Sequence, residues 1–453
     1  MVRRQSLHGQ WSSRLAFVLA ATGAAVGLGN IWRFPYVAGE HGGGAFVIIY
    51  LACVFAIGLP LFMAEAMLGR RGRRNPINAM QLLSQEEAGH SGWQVAGWIG
   101  VATGILILSY YSVVAGLTFS YAIDIAAGSL NHARPMDITA HYRELMNSPF
   151  ELLFWHTLFL AFAVFVVARG VEQGLERVVK FVMPVLFLML VVVVVYAGAK
   201  FAFGQAVQYL FDADFSRVDG DTLLTALGQA FFSLSLGMGA IMAYGAYLPD
   251  DASIPGTSFA IVLVDTVVAL LAGLAIFSVA LGSGLDPATG PGLMFHALPL
   301  TFADMPGGVF FGTLFFLLLI LAAWSSSIGL IEPAVARMVE RHGFSRRNAA
   351  LAIGALAWLL GVLTLLSFNA FSGVRFLAGS LFENLDYLAA NILLPLGGLL
   401  VALFAGWAMS KASSVDEFEI GTGLRYTLWR SFTRFVVPLG VAGIFCRALG
   451  WLP

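Results

Sequence analysis

The chain has 453 residues, 59% of them apolar and 11% charged, with 25 Lys and Arg against 26 Asp and Glu for a formal net charge of −1. A soluble domain carries about 25% charged residues, so this composition excludes a water-soluble enzyme or scaffold. The near-zero net charge gives no basic field for nucleic acid. Cys53 and Cys446 both lie in apolar runs, and indicate neither a disulfide framework nor a zinc site.

A membrane-spanning helix needs about 20 mostly apolar residues. Eleven such stretches follow one another, at 13–36, 43–69, 94–127, 151–168, 176–198, 222–248, 257–282, 307–338, 349–367, 385–410 and 431–450. They are long and unalternating, which predicts helices rather than barrel strands. The fold class is therefore an all-α integral membrane protein in a lipid bilayer. The first stretch starts late and continues into Trp32–Tyr36, unlike a cleavable signal. Loops are short apart from 128–150, 199–221 and 283–306. Lys and Arg concentrate on the side that holds the N-terminus, which predicts a cytoplasmic N-terminus and, with an odd number of spans, an external C-terminus.

Glycine placement is the informative feature along the chain. The first span reads GAAVGLGN over Gly23–Asn30 and the sixth SLSLGMGA over Ser233–Ala240. Each interior glycine costs a helix about 1 kcal/mol, and unwound backbone survives in lipid only where it is buried or lines a cavity. Two interrupted helices five apart in order are expected of inverted-repeat transporters, with the binding site at both breaks. The alternative is a pair of small-residue packing faces. In the fifth span, Gly174 and Pro184 could simply cap and kink the helix. Asp265, alone in IVLVDTVVALL of the seventh, is a functional candidate by default; a protonated carboxyl bonded to a nearby carbonyl is the alternative. Serines after Trp324 in the eighth offer oxygens to a hard cation or bond back to the preceding turn. No HExxH, GxSxG or clustered His/Asp pair occurs in the spans, which argues against an intramembrane enzyme, and no polar stripe suggests a channel.

Three strings carry a resemblance. AATGAAVGLGNIWRFPYVAGEHGGGAF (Ala20–Phe46) looks like the first-helix signature of the neurotransmitter:sodium symporters, FFSLSLGMGAIMAYGAY (Phe231–Tyr247) resembles their sixth helix, and WSSSIGLIEP (Trp324–Pro333) their eighth. The similarity runs from about Trp11 to about residue 410. It implies the LeuT-type fold in one transporter domain, 1–453: spans 1–5 (13–198) and 6–10 (222–410) as inverted repeats, helices 1 and 6 unwound mid-membrane, and an eleventh span (431–450) outside the repeats. It also implies a sodium-coupled symporter of hydrophobic L-amino acids in a bacterial cytoplasmic membrane, working by alternating access. A non-transporting amino-acid sensor of the same fold is the alternative.

Carried over position by position, the resemblance implies two Na+ sites. The first would use the Ala25 carbonyl, Asn30, Ser233 and Asp265, completed by the substrate carboxylate. The second would use the carbonyls of Gly23, Val26 and Ala322 with the hydroxyls of Ser325 and Ser326. The substrate carboxylate would take the Leu28 and Gly29 N–H groups and the Tyr111 hydroxyl, at a half-helix N-terminus suited to an anion. Its ammonium would take carbonyls of Ala25, Phe232 and Ser233 and the Ser235 hydroxyl. Ile107, Phe232, Met238 and Leu330 would line an apolar side-chain pocket. The absence of an acid at Gly23 or Ala24 favours an amino acid over a biogenic amine. Asp265, where relatives carry Asn, and Ala269, with no hydroxyl, predict chloride independence.

Arg33 and Asp386 resemble the extracellular gate pair, with Phe232 as lid, Tyr111 as its partner and Gln229 near the same layer; Arg33 could instead snorkel to the interface. At the cytoplasmic gate Glu340 fits the acid, and its basic partner is His8, Arg3 or Arg4, with Trp11 and Tyr247 packed beneath. A histidine there would make the gate pH-sensitive. Glu65 resembles the carboxylate that holds the unwound part of helix 6. The Gly174/Pro184 spacing resembles one associated with unwinding of helix 5.

Overall fold

A computed structural model describes residues 4–286, 293–377 and 379–448. Eight uninterrupted helices are long and apolar enough to cross a bilayer: Gly44–Gly72, Gln94–Ala126, Pro149–Ala168, Val171–Lys200, Ile254–Gly282, Gly308–His342, Arg346–Leu366 and Leu381–Ala408. These are the second to fifth and seventh to tenth expected spans, most displaced by a few residues at one or both ends. The first span is Arg14–Ala25 followed by Gly29–Glu40, bent by 51° between them. The sixth is cut into Gly220–Ser233 and Ala240–Gly245. The last region is helical earlier than expected, from Leu424 through Ala448, and residues 449 and 450 of its expected range lie outside the described residues. Among the described residues, the nearest thing to a strand is an isolated bridge between Phe376 and Gly379.

The long loops contain helices Pro135–Asn147, Phe203–Phe211 and Leu298–Asp304. In this conformation the fifth span is helical: a π-helical turn, Val171–Glu176, passes directly into Arg177–Lys200 with Pro184 inside it. Gly174 serves close packing there, since a Cβ would collide with the Val166 carbonyl.

The apolar third and eighth spans are buried over 78% and 72% of their most apolar windows, against 39% for the fourth and fifth. The first pair therefore lines the centre of the bundle, and the second presents Phe154, Phe165, Phe181 and Leu188 to the surroundings. In hydrocarbon such a surface needs no polar cover. Both broken spans run through the buried centre, packed against the third and eighth.

Candidate substrate and sodium site

The two breaks are built in different ways. In the first span, Val26 turns extended (φ −68°, ψ 107°) and releases the helical ladder. No left-handed residue occurs there, so its glycines supply room instead. A Cβ on Gly27 would lie 2.8 Å from the Tyr111 hydroxyl and would overlap the Ser326 hydroxyl. In the sixth span, Ser235, Gly237 and Gly239 all take positive φ, at 54°, 77° and 75°. A left-handed serine is uncommon and costs about 1–2 kcal/mol. The Ser235 hydroxyl offsets this by donating to the Ala24 carbonyl at 2.8 Å, which ties one break to the other.

Further side chains hold the freed backbone. Glu65 accepts the Gly237 N–H at 2.7 Å. Gln229, expected near the outer gate, is buried and donates its amide to the Gly29 carbonyl at 2.8 Å. Leu28 N–H donates to the Tyr111 hydroxyl at 3.2 Å.

Between the breaks lies a narrow cavity of about 20 Å³, lined by Ala25, Gly27, Gly29, Ile107, Tyr111, Phe232, Ser235, Met238, Ser326 and Leu330. All the expected substrate contacts line it except Leu28 and Ser233; Gly27 was not anticipated, and Ser326 was expected only at the second cation site. The space holds about one water, so an amino acid must displace its walls. The flexible Met238 thioether and the Phe232 ring are the parts able to yield. On the other side of Phe232 is a wider cavity of about 210 Å³ whose lining includes Leu28, Trp32, Arg33, Tyr110, Phe295 and Asp386. Arg33 and Asp386 thus face one space, but they form no ion pair in this conformation. Arg33 stacks on Phe232 instead, 4.7 Å from the ring centroid, and its Nη1 makes no hydrogen bond.

The residues expected at the first cation site are brought together, across more than two hundred positions of sequence. The Asn30 amide donates to Ser233 Oγ at 2.9 Å and to Asp265 Oδ1 at 2.9 Å, and Ser233 donates to Asp265 Oδ2 at 2.6 Å. Asp265 is 0% exposed. The Asn30 oxygen accepts the Gly27 N–H at 3.2 Å, so its NH2 end faces the carboxylate. Ligation through that oxygen requires the amide to turn over, an exchange of two ends of equal shape. Ala25, the fourth residue expected here, lines the narrow cavity. Sequence reasoning missed Tyr50, whose buried hydroxyl donates to Ser233 at 3.1 Å; a lone tyrosine in an apolar second span was the available signal.

At the second expected site, Ser326 Oγ stands 3.3 Å from the Gly23 carbonyl and 3.1 Å from that of Val26. Hard cations take oxygens at roughly 2.3–2.6 Å, and ligands at right angles are then about 3.3–3.7 Å apart, so a slight expansion fits an ion here. Ser325 instead bonds back to Leu321 at 3.1 Å and Ala322 at 3.0 Å. Its hydroxyl is thus on the Ala322 carbonyl, one of the same expected set.

At the cytoplasmic end, His8 Nε2 lies 3.1 Å from Glu340 Oε1, whereas Arg4 pairs with Glu86; Arg3 lies outside the described residues. Glu340 also accepts Asn75 N–H at 2.7 Å and the side-chain amides of Asn75 and Asn78 at 2.6 and 3.0 Å. Trp11 donates to the Tyr247 and Tyr244 carbonyls at 2.9 and 3.0 Å. The Tyr247 hydroxyl donates to Glu332 at 2.6 Å, and Glu332 pairs with Arg346. Glu332 was missed, although it is a lone carboxylate in an apolar span, like Asp265.

The profile of the sodium:neurotransmitter symporter family matches residues 8–137 and 132–451. The chain belongs to that family. It is 36% identical over 446 residues to an uncharacterized sodium-dependent transporter, YhdH, of Bacillus subtilis, covering 98% of each chain. It is 26% identical to the sodium- and chloride-dependent GABA transporter 2 of Bos taurus, over 97% of this chain and 80% of the other. Among solved structures it resembles MhsT in complex with L-phenylalanine, with a TM-score of 0.91, 38% identity and coverage of 97% and 99%. The protein is thus a sodium-dependent membrane transporter of the LeuT-type fold, and it is not an enzyme.

Proposed function

We propose that this symporter carries hydrophobic L-amino acids by alternating access, with two Na+ ions and without chloride. The observation that carries the reading is the narrow cavity between two backbone breaks, apolar toward Ile107, Met238 and Leu330 and polar toward Ser235, Ser326 and Tyr111. The resemblance to a protein solved with L-phenylalanine supports the substrate class. The N–H groups that open the upper half of helix 1, where Leu28 now donates to the Tyr111 hydroxyl, suit a carboxylate that takes over such bonds, and carbonyls of both breaks suit an ammonium. Asn30, Ser233 and Asp265, with the Ala25 carbonyl, form the first sodium site beside the substrate carboxylate. Gly23, Val26, Ala322, Ser325 and Ser326 form the second.

Asp265 supplies the negative charge that a chloride-dependent relative obtains from the anion, and buried Ala269 offers no hydroxyl to hold one. Because substrate and first ion share a contact, each binds better with the other present. Arg33 and Asp386 close over Phe232 from outside; His8 and Glu340, above Trp11 and Tyr247, close the inside. The inverted repeats 13–198 and 222–410 rock against each other. The N-terminus is cytoplasmic in a bacterial plasma membrane.

Purified protein in proteoliposomes should exchange labelled leucine or phenylalanine in counterflow, dependent on sodium and unaffected when gluconate replaces chloride. Sodium-dependent binding without counterflow would indicate a sensor, and loss of flux in gluconate would overturn chloride independence.

A further inference from the structure

The fifth span contributes a side chain that neither its glycine nor its proline announces. Glu176 is the last residue of the π-helical turn 171–176 and is 4% exposed. One carboxylate oxygen accepts the Ser12 N–H at 2.9 Å, and the other accepts the Ser12 hydroxyl. Lys180, one turn on, donates to Glu176 at 2.5 Å and to Ser12 Oγ at 3.0 Å. Both oxygens are therefore committed to the segment just before the first helix and to the lysine beside it.

The position of Ser12 matters because of its neighbours. Ser13 caps the first helix, accepting the Ala16 N–H, while Trp11 is locked to the Tyr244 and Tyr247 carbonyls. At Gly9, a Cβ would stand 3.3 Å from Glu172, one turn earlier on the fifth helix. The leading segment thus lies along the Glu172/Glu176 face, and the helix it begins, Arg14–Ala25, ends at the Gly23 and Val26 carbonyls beside Ser326. Farther up, Met183 of the fifth helix packs 3.0 Å from where a Gly23 Cβ would be. A shift at Ser12 is therefore carried along about 18 Å of rigid helix to the second expected cation site. A π turn in an otherwise α-helical span is a common mark of functional adjustment.

We infer that Glu176 is a positioning residue for cytoplasmic release: its carboxylate clasps the segment before the first helix to the π turn of the fifth, and the inner half of helix 1 swings only after that clasp opens. The inference rests on the alternating-access reading above. A charge-assisted bond of this kind, once removed, shifts the closed-to-open balance about tenfold to a hundredfold.

The test uses the full chain in nanodiscs with saturating sodium and labelled phenylalanine, comparing Glu176→Gln, Ser12→Ala and the control Glu172→Gln. Hydrogen exchange in peptides from 6–25 and 171–176 should rise about tenfold in Glu176→Gln, rise by a smaller factor in Ser12→Ala, whose main-chain N–H still bonds the carboxylate, and stay unchanged in the control. Exchange in the second and seventh spans should stay unchanged in all. Apparent sodium affinity should fall with kcat retained or raised. Adding Ser12→Ala to Glu176→Gln should change little further, because the serine hydroxyl acts in the clasp through that carboxylate. Ser12→Ala removes only a hydroxyl at an exposed position, so it carries the test if Glu176→Gln does not fold. Unchanged exchange over 6–25 in Ser12→Ala, or a rise spread uniformly over all helices, would overturn the clasp. Absence of sodium-dependent phenylalanine binding in the unsubstituted protein would count against the transport reading instead, and the exchange measurement would still decide the clasp.

Discussion

Replacing Asp265 by Asn tests the first cation site most directly. The carboxylate accepts from Ser233 at 2.6 Å and from Asn30 at 2.9 Å, with no exposure to solvent. An asparagine keeps one acceptor and turns the other into an NH2. That NH2 would point at the Asn30 amide nitrogen, or at Ser233 Oγ, which already receives Asn30 at 2.9 Å and Tyr50 at 3.1 Å. Turning Asn30 over moves the conflict to Gly27, whose N–H now bonds the Asn30 oxygen. One buried donor is left unmatched in every arrangement, at about 1–3 kcal/mol, and the cation loses a formal charge from its shell. Apparent sodium affinity should therefore fall roughly 10- to 100-fold. Equilibrium binding of labelled phenylalanine, titrated with sodium at constant ionic strength, measures this, with thermal unfolding of the sodium-free protein as control. An unchanged sodium midpoint in a folded Asp265→Asn variant would refute the assignment of Asp265 to that ion.

Gly27→Ala should abolish sodium-dependent binding while leaving a folded protein, because its Cβ would lie 2.8 Å from the Tyr111 hydroxyl and overlap Ser326; detergent size-exclusion with the binding assay checks it, and retained binding would show that the wall gives way. On the loop helix Pro135–Asn147, His141 stands 3.2 Å from Asp124 and edge-on to Tyr121 at 5.4 Å. The Asp124 carboxylate beside it, opposed by partial burial, raises its pKa above the usual histidine value. A raised pKa means that this contribution is complete below about pH 6.5 and fades as pH climbs through the raised value. Hydrogen exchange over 135–147, corrected for intrinsic rate, should increase from pH 6 to pH 8, and His141→Gln should remove the difference; a pH response that persists in the variant would place its origin elsewhere.

Much of the architecture was legible because lipid imposes local rules. A span must be long and apolar, so eight uninterrupted helices and one bent one could be placed from hydropathy to within a few residues. Glycine clusters marked both breaks. They could not reveal that the first exists for close packing at Gly27 and the second for positive φ at Gly237 and Gly239, because that difference depends on Tyr111 and Ser326 from other helices. The short helices in the loops were not legible, since their stability comes from packing such as Tyr142 on His296 at 4.3 Å. Gly174 and Pro184 left a kinked helix open but gave no sign of the π turn at its start.

Composition and residue order by themselves determined that this chain lives in a membrane, where its helices lie, which two break, and which oxygen-bearing side chains sit near the breaks. Only the tertiary structure decided which of these meet. Asn30 reaches Asp265, His8 rather than Arg4 reaches Glu340, and Ser12 reaches Glu176. The physical reason is range. Helix formation in lipid is settled by neighbours a few residues away, whereas a buried carboxylate is satisfied by whatever donor the packing of distant helices delivers to it.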